Sequence, residues 1–187
     1  MKLNDLLTKK RSTILRRWFD VIIESYPPDT SHFFKTQKDQ FANPVGHAIS
    51  QGIGGLLEEI IQGVNPDNVP QFLDDIIRVK AIQDFTPSQA ISFIFLLKKV
   101  IRQELSKEIQ DPDISKELLA LESRIDDLAL LSFDIYMKCR QKIFEIRVNE
   151  VRNMTNRLLR MANLVYDRDE QRPDNESETL ITNNIKG

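Results

Sequence analysis

Apolar residues recur at three- and four-residue spacing along nearly the whole chain of 187 residues. That period predicts helices throughout, and no stretch keeps a strand alternation. Residues 3–25 carry a stripe of Leu7, Ile14, Leu15, Trp18, Phe19 and Ile22. "YPPDT" ends it, because proline lacks an N–H and biases the residue before it away from the helix. "SHFF" is then expected to be irregular and to plug the edge of the core. The next helix opens with Asn43 as N-cap and Pro44 at the first helical position, follows Val45, Ile49, Ile53, Leu56 and Ile60, and closes on Gly63 as C′ residue. "NPDNVP" opens another, with Phe72, Ile76, Val79 and Ile82 on its stripe. "TPSQ" reads as a capping box in which Thr86 and Gln89 cap each other, with Phe85 stapled onto Ala90. The helix that follows is apolar nearly all round over residues 90–97, the pattern of a helix buried at the centre of a domain.

After "DPD" the pattern predicts one long helix over residues 114–165, with a stripe in two phases. Leu118, Leu121, Ile125, Leu128, Ser132, Ile135 and Cys139 keep one register; Phe144, Val148, Val151, Thr155, Leu158, Ala162 and Val165 keep another. Passing from Lys142 to Phe144 turns the stripe by about 200°. The first half therefore closes a core, and the second half buries something else. These changes predict a domain over residues 1–141, a projecting helix for dimerisation or partner contact over 142–166, and a polar, acidic, disordered tail over 167–187.

Composition narrows the function classes. The hydrophobic share of 41% and charged share of 29% are those of a soluble protein, and a net charge of −2 gives no global attraction to nucleic acid or anionic membrane. Arg140, Lys142, Arg147, Arg152, Arg157 and Arg160 form a basic run, but it lacks interleaved aromatics and reads as the solvent face of a pairing helix. The single cysteine excludes an internal disulfide framework and fits a reducing compartment. No apolar run approaches the roughly 18–20 residues of a membrane span, and the charged N-terminus is no signal peptide, so a cytoplasmic location is expected.

Candidate chemistry is sparse. His47 is the one candidate ligand for haem, yet it lies roughly 140° from the centre of its helix's apolar arc, beside Gln51, Gly54 and Glu58. His32 has no partner at ligand spacing. The adjacent acids Glu58-Glu59 and Asp74-Asp75 diverge on a helix and form no catalytic pair, and Cys139 has no visible base. "GIGG" sits inside a helix without a preceding strand, which makes a poor phosphate loop. No catalytic residue, metal site or cofactor is therefore expected. Four of the six glycines crowd residues 46–55, at about 0.8–1 kcal/mol each against alanine. Gly46 lies in the apolar arc, where it would permit a close crossing. Gly52 lies on the arc's flank, and Gly54 and Gly55 lie on the far side with His47.

Two blocks, "NPVGHAISQGIGGLLEEIIQG" and "IIRVKAIQDFTPSQAISFIFLLKKVIRQEL", resemble the N-terminal domain of RsbRD-type co-antagonists of the kinase RsbT, components of the bacterial stressosome. The resemblance runs directly over residues 3–105 and in pattern through the long last helix. It implies an all-α, globin-like sensory domain, without enzymatic activity and usually without haem, often dimeric, whose last helix passes signals to an output domain. Relatives of this kind near sulfur-metabolism genes imply a redox- or energy-linked role. The chain departs from RsbR-like proteins after Val165, where the expected STAS output domain and its phosphorylatable threonines have no counterpart.

These observations together predict a regulatory or sensory domain acting by protein–protein contact. It is expected to be a homodimer or to bind a kinase or other regulatory protein, through Phe144, Val148, Val151, Leu158 and Val165. Asn43, Pro44, Gly46, Gly54, Gly55, Gln83, Asp84, Thr86 and Gln89 form the candidate sensing or structural motif. A haem- or small-ligand-binding globin-type sensor using His47, and an adaptor for a kinase or electron-transfer complex, are the alternatives.

Overall fold

The N-terminal stripe is carried by two helices rather than one. In the computed structural model, which describes residues 2–37, 39–62, 69–83 and 85–162, α1 (Leu3–Lys9) ends at Lys10 and α2 (Arg11–Ile23) begins again at once. Lys10 leaves the helical region with φ −98° and ψ 8°. Its ammonium reaches the backbone carbonyl of Glu104 and the Glu108 carboxylate at 2.8 Å. A cation meeting the orphan carbonyls of a helix C-terminus is favourable in both charge and hydrogen bonding.

The remaining elements are α3 (Pro28–Thr36), α4 (Pro44–Gln62), α5 (Val69–Ile82), α6 (Pro87–Glu104), a short 3-10 turn (Glu108–Gln110) and α7 (Pro112–Met161). The described residues are all-α. "SHFF", expected to be irregular, belongs to α3, because Pro28 starts that helix with its φ already helical and no N–H to satisfy. Gly63, "NPDN" and the tail over 167–187 lie outside the described residues. The chain divides into two units, Met1–Glu145 and Ile146–Gly187.

In the first unit α2 packs on α6 and α4, and α4 packs on α5. Trp18, fully buried, ties α2 to α6 by donating its indole N–H to the Phe93 carbonyl at 2.7 Å and stacking on the Phe93 ring. From α7, Leu118, Leu121, Ile125, Leu128 and Ser132 face inward as the first register predicts; beyond them Tyr136 is buried, while Ile135 and Cys139 are only partly so.

α6 buries Ala90, Phe93, Ile94 and Leu97, while Phe95 is 45% exposed with the Lys98 ammonium over its ring. One expectation needs correction. On α5 the inward face is Val69, Leu73, Ile76, Ile77, Lys80 and Ala81, so Ile82 turns outward at 62% exposure. The face is rotated because the helix buries a lysine that the apolar count left out.

In the second unit α7 continues to Met161, and every described residue from Ile146 on is exposed.

Candidate functional site

At three of the four glycines of α4 an added Cβ would meet a neighbour at under 3 Å. Asn43 Oδ1 accepts from the Gly46 N–H at 2.9 Å, while its Nδ2 donates to the Gln37 carbonyl at 2.8 Å and more weakly to that of Phe34. Buried Asn43 thus caps α4 and also holds the end of α3. A Cβ at Gly46 would lie 2.4 Å from Asn43 Nδ2. Gly46 therefore makes room for the cap, not for a helix crossing as its place on the arc predicts. The crossing belongs to α5: a Cβ at Gly52 would lie 2.7 Å from Ile76 Cδ1 and 3.0 Å from the Phe72 carbonyl oxygen, and one at Gly55 would lie 2.4 Å from the Phe72 ring. Nothing lies within 4 Å of a Cβ at Gly54. The two glycines of "GG" thus differ: Gly55 receives an aromatic edge, and Gly54 faces open space.

His47 is exposed on the rim of a cleft of about 300 Å³ lined also by Phe19, Phe34, Lys35, Asn43 and Gly46. Among the described residues no group of three or more His, Cys, Asp or Glu side chains converges as a metal site. No described helix is long and apolar enough to cross a membrane.

The α5–α6 turn is the more densely built place. Thr86 and Gln89 form the reciprocal capping box: the Gln89 N–H reaches Thr86 Oγ1 at 3.3 Å, and the Thr86 N–H reaches Gln89 Oε1 at 3.0 Å. Gln83 Oε1 accepts from the Tyr26 hydroxyl at 3.2 Å, and Phe85 meets the Tyr26 ring edge-on at 5.2 Å. Asp84 lies outside the described residues. Beneath the turn, Lys80 is 1% exposed and makes no ion pair among the described residues. Its ammonium lies 4.4 Å from the Phe85 ring centroid and 5.1 Å from that of Tyr26. The rings stabilise a cation by their quadrupoles but do not replace its hydration. Burial accordingly lowers the Lys80 pKa to about 8, and it pushes the Tyr26 phenol up to about 12.

The same turn is bonded to α7. The Tyr136 hydroxyl donates to the Phe85 carbonyl, and Arg140 donates to the Ala81 carbonyl at 2.9 Å. Sequence reasoning singled out Gln83, Thr86 and Gln89 but missed Tyr26, Lys80, Tyr136 and Arg140. The available signal was Lys80 itself, three and four residues after Ile77 and Ile76 on the inward face.

On α7, Phe144 is 68% exposed, Val148 45%, Val151 63% and Leu158 59%; Val165 lies outside the described residues. Within the first unit Leu130, Phe133 and Met137 are exposed as well, at the three- and four-residue spacing of a helix face, and the sequence reading did not select them.

Comparison with known proteins identifies the family of the chain. The family model described as the RsbT co-antagonist protein RsbRD N-terminal domain matches residues 12–151. An uncharacterized protein of Archaeoglobus fulgidus is 32% identical over 79 residues, which is 42% of this chain and 48% of that protein. The chain thus spans about half the length of that relative. No solved structure matches the chain.

Proposed function

The chain belongs to the family of RsbT co-antagonist RsbRD N-terminal domains, a family of stressosome-type signalling domains, and we propose that it is a non-enzymatic regulatory domain acting by protein–protein contact through α7. The observation that carries this reading is the run of exposed apolar side chains on that helix, Phe144, Val148, Val151 and Leu158, at helical spacing. Fully burying one such side chain stabilises an association by about 1.5–3 kcal/mol. Covering four of them favours a helix pair against the cost of association, and the arginines between them keep their charges in water while their stems cover apolar surface. A second copy of the chain satisfies such a face most simply, because an isologous pair presents the same stripe twice. A kinase or other regulatory partner would use the same face in its place.

The input side of the mechanism is the α5–α6 turn. Tyr136 and Arg140 are fixed to its carbonyls, so a change in the turn's conformation pulls on α7 through two hydrogen bonds. Lys80, caged by Tyr26 and Phe85 directly beneath, makes the turn sensitive to whatever alters its charge or packing. The exposure of His47 does not favour the haem reading, since a haem ligand points into an apolar pocket.

The test is sedimentation of the wild type and of the Val151→Asp/Leu158→Asp double variant. The wild type should sediment as a dimer and the variant as a folded monomer with unchanged helix content. A monomeric wild type eliminates self-pairing.

A further inference from the structure

Between α5 and α7 of the first unit runs a groove of about 430 Å³ that neither the capping turn nor the pairing face uses. Ile135, Cys139 and Ile143 of α7 form its floor, packed on the core from their inner sides, and Ile82 of α5 forms a wall. The rim is cationic. Arg78 is bonded to Asp74, the one carboxylate lining the groove. Lys138 and Lys142, one helical turn apart, are exposed and make no ion pair among the described residues. An apolar trough with uncompensated cations along one lip selects a molecule with an aliphatic body and an anionic end. The volume is that of a small-ligand pocket, which runs about 300–1,000 Å³, rather than of an extended protein interface.

We propose that the α5–α7 groove is a binding site for a medium-chain aliphatic carboxylate. The chain lies on Ile82, Ile135, Cys139 and Ile143, and the carboxylate meets Lys138 and Lys142. Each ammonium supplies a charge-assisted hydrogen bond to the head group. The aliphatic part covers side chains now facing water. The site stands apart from the pairing of α7, so it can be tested whatever the oligomeric state.

Cys139 is the only cysteine of the chain and lies in the groove floor, which makes it a built-in reporter. Burial and the nearby Asp74 carboxylate push its thiol above the ordinary value, with Arg78 opposing, so labelling is best followed in mildly alkaline buffer. The rate of reaction of the full chain with a thiol reagent is measured against increasing decanoate, kept below its aggregation threshold. Decanol, decyltrimethylammonium and an acidic amphipathic peptide serve as comparisons. Decanoate is expected to slow labelling saturably, and Lys138→Gln/Lys142→Gln to raise the half-saturating concentration about tenfold. Both substituted residues are exposed, so the fold is retained, and circular dichroism checks this. The proposal is overturned if decanoate protects no better than decanol or decyltrimethylammonium, or if the double variant's half-saturation matches the wild type. Protection by the peptide where decanoate gives none also overturns it, and would make the groove a protein-docking surface.

Discussion

Replacing the glycines of α4 one at a time by alanine should change stability in opposite directions, although all three positions tested are interior to the same helix. Alanine is favoured over glycine in a helix interior by about 0.8–1 kcal/mol. At Gly54 nothing lies within 4 Å of the added Cβ, so that gain is unopposed. One kcal/mol moves the midpoint of a 150–250-residue chain by about 2–4 °C, and Gly54→Ala should raise Tm by that amount. At Gly52 the new methyl lies 2.7 Å from Ile76 Cδ1 and Cγ1 and 3.0 Å from a backbone carbonyl. Ile76 is fully buried, so neither neighbour has room to yield. Overpacking of this kind costs about 1–3 kcal/mol, which exceeds the propensity gain, and Tm should fall by about 2–4 °C. Gly55→Ala drives the methyl into the Phe72 ring at 2.4 Å. That ring is only partly buried and can swing away, so the variant should fall between wild type and Gly52→Ala. In a Phe72→Ala background the obstacle is gone, and Gly55→Ala should become stabilising, a coupling that a double-mutant cycle isolates. Thermal unfolding by far-UV circular dichroism at one fixed protein concentration reads all of these, since association shifts the midpoint. A Gly54→Ala variant that melts below wild type, or a Gly52→Ala variant that melts with Gly54→Ala, refutes the assignment of close approach to α5.

Four further outcomes follow from the same contacts. Asn43→Ala removes the cap of α4 and the donor to two carbonyls, and chemical denaturation should show a loss of about 2 kcal/mol, the upper end of measured cap losses. Lys80 binds its proton less tightly folded, at about 8, than unfolded, at 10.5, so between those values the unfolded chain holds more protons and stability rises with pH. The charged form therefore costs about 3 kcal/mol below pH 8, Tm should climb between about pH 8 and 10, and Lys80→Met should flatten the climb and be the more stable protein at neutral pH; a flat wild-type profile contradicts a buried ammonium that has no ion pair among the described residues. Above about pH 10 the gain should reverse, because Tyr26 holds its proton to about 12 when folded and the unfolded chain loses it first. Purified protein mixed with haemin should give no Soret band that His47→Ala abolishes; such a band restores the haem alternative.

What was legible in the sequence and what was not divides by the range of the interaction. The Thr86–Gln89 capping box, the Asn43 cap and the inward register of Leu118, Leu121, Ile125 and Leu128 depend on residues within a few positions of each other, and each reads directly from the chain. The glycines do not, because what distinguishes Gly54 from Gly55 is the Phe72 ring, seventeen positions after Gly55 on another helix. Lys80 was hidden by a sound general expectation, that lysine faces water. Its spacing from Ile76 and Ile77 argued the opposite, and counting the lysine as inward would also have turned Ile82 outward, as it is. The misreading and the candidate site therefore have one cause. A domain with ample apolar residues to fill this position instead holds a cation there, against two aromatic rings and beneath the turn whose carbonyls Tyr136 and Arg140 grip from α7. Core packing alone favours an apolar residue at that place, since the burial of an unpaired charge is costly. The fold thus sacrifices stability at the junction of the turn with the long helix, which is where the proposed regulatory reading places its input.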